Sequence, residues 1–330
     1  MPQISVAIPA YKPHYLSQAI ASVLAQTFTD YELLISDDCP DGQVRAVVEQ
    51  FRDRRIRLID GPRRGLVPNS VHLWDAASTD LLKFVYDDDF LLPFCLAALT
   101  EAMLAEPALP FAFSFRHIVD EEGIILESPE AFTKKSSVRF ERHVMPTHML
   151  SNLRNPIGEP SNIIIRRSVF PDASCLGQFC GIPIRHMIDV AFYLNAAQRG
   201  DCLGVPGFHG AFRRHETQVS RRRDAPAFSA GLYEWEVFTR GSVQIGLVTH
   251  EAALKGLPAL ERAYRSSEAL FPELAHRREQ LPTLKVRLEA GETDLLDNEF
   301  LEEWRWADGL IRERMGETTP KIDPSVIKRC

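Results

Sequence analysis

The first ninety or so residues alternate strand-like and helix-like segments with short connections, and no other feature constrains the fold as strongly. "ISVAIPA" (Ile4–Ala10) is a short apolar, β-rich run that reads as a buried strand. Leu16, Ile20, Val23 and Leu24 then fall at helical spacing. "YELLISDD" (Tyr31–Asp38) predicts a second strand, "QVRAVVEQFR" a second helix and "IRLID" (Ile56–Asp60) a third strand. "GPRRGLVPN" (Gly61–Asn69) carries turn signals, "SVHLWDAAS" suits a helix, and "LLKFVY" (Leu81–Tyr86) predicts a fourth strand. Such alternation predicts a parallel sheet with helices on both faces, and ligands beyond the carboxyl ends of its strands. The residues at those ends are Ala10–Lys12, Asp37–Asp38, Asp60–Arg63 and Asp87–Asp89, and they should converge on one crevice.

Past residue 94 the pattern loosens. "LAALTEAMLAE" is helical, "FAFSFRHIV" strand-like and "DEEG" a turn. Residues 125–160 are irregular, with four prolines, before "SNIIIRRSVF" predicts a strand and a helix start. "HMIDVAFYLNAAQRG" (His186–Gly200) reads as an amphipathic helix closed by glycine. After Arg221–Arg223 the chain is helix-like throughout.

A chain of 330 residues exceeds one ordinary core, so an α/β domain with an appended region is expected. The net charge of −7 argues against bulk nucleic-acid binding. No apolar run is long enough to span a membrane, and the N-terminus lacks a signal-peptide pattern, so the expected location is cytoplasmic. The six cysteines (Cys39, Cys95, Cys175, Cys180, Cys202 and Cys330) form no metal-type CxxC pair and read as reduced, structural thiols.

"KFVYDDDFLLP" (Lys83–Pro93) places three aspartates directly after an apolar run. Adjacent carboxylates repel, and a divalent cation bound with substrate phosphates would resolve that repulsion. A solvated acidic turn would look the same. "SDDCPDG" (Ser36–Gly42) offers carboxylates to a nucleobase or ribose, or simply caps the helix near Gln43. "PAYK" (Pro9–Lys12) offers backbone groups and an aromatic face.

Taken in order, "SVAIPAYKPHYLSQAIASVLAQTFTDYELLISDD" and "GLVPNSVHLWDAASTDLLKFVYDDDFLLPFCL" resemble the N-terminal half of glycosyltransferase family 2. The likeness is close over residues 3–105, looser to about 220, and then stops. It implies a GT-A fold, a Rossmann-like and mostly parallel sheet flanked by helices, here with a C-terminal helical extension. It divides the chain into a nucleotide-sugar-binding half (1–115), an acceptor-binding half (116–224) and a helical region (225–330).

The resemblance implies that Pro9, Ala10 and Tyr11 line the nucleotide, with Asp38 on the base, Asn69 beside the nucleotide-sugar and Arg63 or Arg64 near it. The family's DxD-type motif falls on the triplet, with Asp88 at the metal position. The first acid of a common DxDD form falls on Tyr86, a departure, so Asp87 and Asp89 share the ribose and metal-water roles in an order left open. Asp189, in the "ED" position with Ile188 before it, matches the base that deprotonates an acceptor hydroxyl. An acid favoured by the helix dipole is the plainer account of Asp189. "FRRHETQVSRRR" (Phe212–Arg223) resembles the segment after the base helix, which sets His215 on the metal or diphosphate and Arg213 or Arg214 on the leaving group. Ser161 and Asn162 fall at the acceptor pocket.

The implied activity is an inverting, Mg²⁺- or Mn²⁺-dependent transfer from a nucleotide-diphosphate sugar, UDP- or dTDP-linked, to a glycan or lipid-linked acceptor in bacterial surface polysaccharide synthesis. Peripheral membrane association and a homodimer through the C-terminal helices are compatible with it. The competing readings are a non-catalytic nucleotide- or carbohydrate-binding module and a sugar-phosphate nucleotidyltransferase. "PAYKPHYL" lacks the glycine-rich loop of the latter.

Overall fold

The computed structural model describes residues 2–216, 218 and 224–316. Its elements begin with β1 (Ile4–Ala10), α1 (Leu16–Leu24), β2 (Tyr31–Asp37), α2 (Gln43–Val48), β3 (Ile56–Asp60), α3 (Leu66–Ala76) and β4 (Leu81–Phe84). β5 (Phe90–Leu91), α4 (Cys95–Ala105), β6 (Phe111–Val119), β7 (Ile125–Glu127) and β8 (Val138–Phe140) follow. Next come α5 (Val144–Asn152), β9 (Ile163–Arg166), β10 (Gln178–Phe179), β11 (Ile182–Pro183), α6 (Ile188–Ala197) and β12 (Cys202–Arg213). Four longer helices end the described chain: α7 (Pro226–Gln244), α8 (His250–Ser267), α9 (Pro272–Glu289) and α10 (Asn298–Met315).

These elements form two compact units. The first comprises residues 1–141, 156–176 and 199–215; the second comprises 142–155, 177–198 and the described residues from Glu216 onward. The first unit is a sheet in the order β3-β2-β1-β4-β9-β6-β12-β5, with β7 beside β6 and β8 beside β12. β1 to β4 run parallel as expected, and antiparallel β9 then joins them to the β6–β12 pair. β1 is buried along its whole length, which is why it reads as an unbroken apolar run. α1 lays Leu16, Ala19, Ile20 and Val23 on that core, the face its spacing predicts.

The second unit is built around helices. α7 carries a fully buried Glu236 that accepts from Arg240 (2.8 Å), Arg277 (2.6 Å) and the Tyr264 hydroxyl (2.9 Å). Pairing on this scale is what a buried carboxylate requires. Thr249 caps α8 and Asp297 caps α10, each side chain accepting a first-turn N–H. Gly256 lets α8 approach α5, since a Cβ there would lie 2.1 Å from the Leu150 carbonyl oxygen. Intramolecular packing thus occupies much of the helical region's apolar surface, including Trp304, whereas Trp306 is exposed and edge-on to His276.

Two expectations need correction. α6 is not amphipathic: Val190–Leu194, Ala196 and Ala197 are all buried, so both of its faces are covered. Residues 125–160 are not wholly irregular, for they contain β7, β8 and α5. The five described cysteines are free, buried thiols; Cys330 and the Arg221–Arg223 cluster lie outside the described residues. Among the described residues no helix is long and apolar enough to cross a membrane.

Candidate active site

At the carboxyl edge of the parallel strands, hydrogen bonds join all four strand ends. The N–H groups of Tyr11 and Lys12, just past β1, both donate to Asp87 Oδ2 at 2.7 Å. The Asp38 N–H donates to the Ala10 carbonyl (2.9 Å), and the Asp38 carboxylate accepts the N–H groups of Arg63 and Gly65. Gly61 N–H donates to the Asp37 carbonyl at 2.8 Å. The four strand ends that the alternation predicted to converge are therefore tied to one another.

Each piece has a local cause. Gly61 is required because a Cβ there would lie 2.7 Å from the Asp37 carbonyl oxygen, closer than packed atoms tolerate. Gly61→Ala should cost roughly 1–3 kcal/mol of stability, as read by denaturant unfolding. Asp37 closes a turn on the Cys39 N–H (3.1 Å), while Asp41, not Asp37 or Asp38, accepts from Gln43 at the start of α2. Asp38 organises the 63–65 loop, holding Arg63 at φ 54°. Tyr11 exposes its ring, and Asn69 is buried with its amide nitrogen 3.4 Å from the Ser36 carbonyl.

The three aspartates have three different environments. Burial and the neighbouring Asp88 charge push Asp87 up to about 6, against the pull of the two N–H groups it accepts. A folded value above the ordinary 3.8 means the folded state holds the extra proton between them, so stability falls as pH rises through that window. Asp87→Asn should therefore match wild type near pH 4 and gain on it above pH 6, in thermal melts without divalent cations. Asp89 is buried, its Oδ1 accepts the Arg213 N–H (3.1 Å), and burial with Asp88 and Glu159 pushes it well above the carboxylate range. Asp88 keeps partial exposure and places Oδ2 3.0 Å from His215 Nε2.

Asp88 and His215 are thus two donor atoms of the kinds that bind Mn²⁺ or related cations. Among the described residues no cluster of three or more His, Cys, Asp or Glu side chains could hold a metal unaided. The pair fits a cation whose remaining ligands come from phosphate and water. Asp89 makes its described side-chain bond to Arg213 and does not complete such a cluster.

The guanidinium of Arg213 bonds to protein oxygens. It is buried, with Nε on the Asp88 carbonyl (3.0 Å) and Nη1 on the carbonyls of Asp120 (3.1 Å) and Glu121 (2.7 Å). Nη2 donates to Gln18, and the guanidinium stacks on Tyr15, 4.4 Å from the ring centre. Its fork ties the triplet's backbone, through Asp88, to the 120–121 turn and Gln18. Arg213→Ala should cost roughly 3 kcal/mol, read by urea unfolding. Arg214 pairs with Glu127 at the surface.

Asn162 is likewise committed: its amide donates to the carbonyls of Ser114 and Ile157, and its Oδ1 accepts the Ser114 hydroxyl. It shapes the backbone and is not available for sugar hydroxyls. Ser161 Oγ accepts the Tyr86 N–H (3.0 Å), and its carbonyl accepts buried Lys83 Nζ at 2.8 Å. Burial lowers the Lys83 pKa. Sequence reasoning missed Lys83 because a lone lysine in a strand pattern carries no signal for its carbonyl partners on Ser161 and Ile163, which lie far along the chain.

In the second unit, Asp189 lies in the first turn of α6, half-buried. Its Oδ1 accepts the Val190 N–H (2.8 Å), and its Oδ2 accepts Asn155 Nδ2 at 2.7 Å. Asn155 carries no recognisable signal in the sequence.

The profile of glycosyl transferase family 2 matches residues 5–172. An uncharacterized protein of Mycobacterium tuberculosis, MT1568, is 28% identical over 313 residues, covering 85% of this chain and 94% of that protein. A GalNAc(5)-diNAcBac-PP-undecaprenol beta-1,3-glucosyltransferase of Campylobacter jejuni is 33% identical over 106 residues, 31% of this chain and 34% of its own length. In three dimensions, S. aureus TarS residues 1–349 in complex with UDP-GlcNAc shares the fold, with TM-score 0.54 and 16% identity. That match covers 96% of this chain and 93% of that one.

Proposed function

The chain belongs to glycosyl transferase family 2, and on that footing we propose that it transfers a sugar, with inversion, from a UDP- or dTDP-sugar to a hydroxyl of a glycan or lipid-linked acceptor. The observation that carries this reading is the Asp88–His215 pair at the sheet edge where all four parallel strand ends are tied together. A UDP-sugar is favoured because TarS is described with UDP-GlcNAc, and a lipid-linked acceptor because the Campylobacter relative is named for one. Work on such an acceptor, in surface polysaccharide synthesis, would need peripheral association with the inner face of the membrane.

In this reading Tyr11 stacks on the base, and the Asp38-held loop at Arg63 and Gly65 borders the nucleotide-sugar. Asp88 and His215 would hold a Mg²⁺ or Mn²⁺ ion, which would supply positive charge to the departing diphosphate. Asp87 keeps the loop after β1 in place, and Arg213 fixes the backbone beneath Asp88. Asp189 takes the proton of the acceptor hydroxyl as its oxygen attacks the anomeric carbon. Asn155 holds one oxygen of that carboxylate.

The test is turnover of UDP-glucose, UDP-GlcNAc and dTDP-glucose with Mn²⁺ and an undecaprenyl-diphosphate-linked sugar. Product of inverted anomeric configuration from one donor is expected. Product that retains the donor's configuration, or no turnover of any donor, contradicts the reading.

A further inference from the structure

Three consecutive N–H groups just upstream of α6 converge on one buried carboxylate. Glu234, on α7, accepts from Arg185 (2.6 Å), from His186 (3.2 Å to each oxygen) and from Met187 (2.7 Å). Met187 is the N-cap of α6, and α6 has no side-chain cap of its own. A distant acid therefore does what Ser, Thr or Asp does at an ordinary helix start. The three amides form an anion-binding nest, filled here by the protein itself.

Both ends of this arrangement are anchored. Gly231 brings α7 close, since a Cβ there would lie 2.5 Å from the His186 ring. The Arg185 side chain donates to Asp308 Oδ1 (2.7 Å) on α10, and Asp308 Oδ2 accepts from Arg312 (2.6 Å). Asp189 follows two residues after Met187 in the first turn of α6, with its Oδ2 on Asn155.

We propose that Glu234 is a positioning residue for the transfer: it fixes the 185–187 segment and thereby the direction in which α6 presents Asp189. This rests on the reading of Asp189 as the base. It gives α7 and α10 a part in catalysis, where sequence alone offered only packing, dimerisation or membrane docking. The geometry also carries a pH signature. Burial pushes Glu234 up to about 7 while the three N–H groups pull it down. The charged and titratable groups around it are Arg185 and His186 on the segment, Tyr233 on α7, and Asp308 with Arg312 on α10. Above that value both oxygens accept; once protonated, one becomes a donor.

Glu234→Gln keeps the shape and turns one accepting oxygen into a donor. At pH 8 it should lower kcat for UDP release from UDP-glucose or UDP-GlcNAc about ten- to a hundredfold, the range expected of a slightly misplaced catalytic group. KM for the donor and Mn²⁺-dependent UDP binding should stay within about twofold. In an Asp189→Asn background the same change should have no further effect, and the ratio of wild type to Glu234→Gln should narrow from pH 8 to pH 6. Amide exchange at residues 185–188, which needs no substrate, should rise about tenfold or more. Wild-type kcat at pH 8, unchanged exchange, or an equal loss in the Asp189→Asn background would overturn the proposal. Should Glu234→Gln not fold, Asp308→Asn, which weakens the Arg185–Asp308 ion pair and leaves the nest intact, decides: a several-fold loss confined to kcat supports it, and wild-type kcat refutes it. Full activity of Asp189→Asn itself would instead remove the base assignment on which the proposal rests.

Discussion

Asp88→Asn is expected to lower kcat/KM for the donor roughly 10²–10³-fold, the loss seen when one preorganised charge contact to a departing anion is removed. Asparagine fills the same space, so the Arg213 bond to the residue's carbonyl is kept. The charge is lost, and one accepting oxygen becomes a donor. Loss of folding is not the expected cause, because the Asp88 charge contributes to the upward push on both Asp87 and Asp89. Removing it relieves that repulsion, and the metal-free variant should melt no lower than wild type. Donor kinetics beside a thermal melt check both halves. A variant with wild-type kcat/KM would leave the triplet an acidic turn.

Asp189→Asn should cost roughly 10²–10⁴-fold in kcat, the usual contribution of a general base. The amide retains a carbonyl for one of the two contacts with Val190 and Asn155, so the start of α6 should survive. Mn²⁺-dependent UDP binding should be unchanged, because the residues proposed to hold the nucleotide lie in the first unit. The two variants then separate: Asp88→Asn loses binding and turnover together, while Asp189→Asn loses turnover alone. A loss of UDP binding in Asp189→Asn, or a kcat like that of wild type, would place the base elsewhere.

The parallel half of the sheet is legible in the sequence because β1, β2 and β4 are almost wholly buried, and such strands must be continuous apolar runs. β12 escapes that reading. Its pairing with β6 shifts register between Gly204 and Phe208 and again between Phe208 and Gly210, so glycines and a proline interrupt the apolar pattern. α6 misleads in the opposite way: an apparent polar face is buried when elements cover both sides.

In the site, residue types were legible and directions were not. The triplet announces an unusual concentration of charge, yet its members differ through partners that no local pattern reveals. Asp87 meets the loop after β1, Asp89 the N–H of Arg213, and Asp88 the ring of His215. Arg213 shows the limit most clearly. Its charge suggests a phosphate ligand, but four nearby oxygens, on Asp88, Asp120, Glu121 and Gln18, take its donors. Glu234 and Asn155 act across separations in sequence that periodicity cannot bridge.

Calorimetric titration of UDP into wild-type protein, with Mn²⁺ and then with EDTA, tests the central claim most directly. Binding in Mn²⁺ that disappears in EDTA and in Asp88→Asn is the predicted result. Absence of binding in either condition, or binding that EDTA leaves unchanged, would contradict a nucleotide-diphosphate site built on Asp88 and His215.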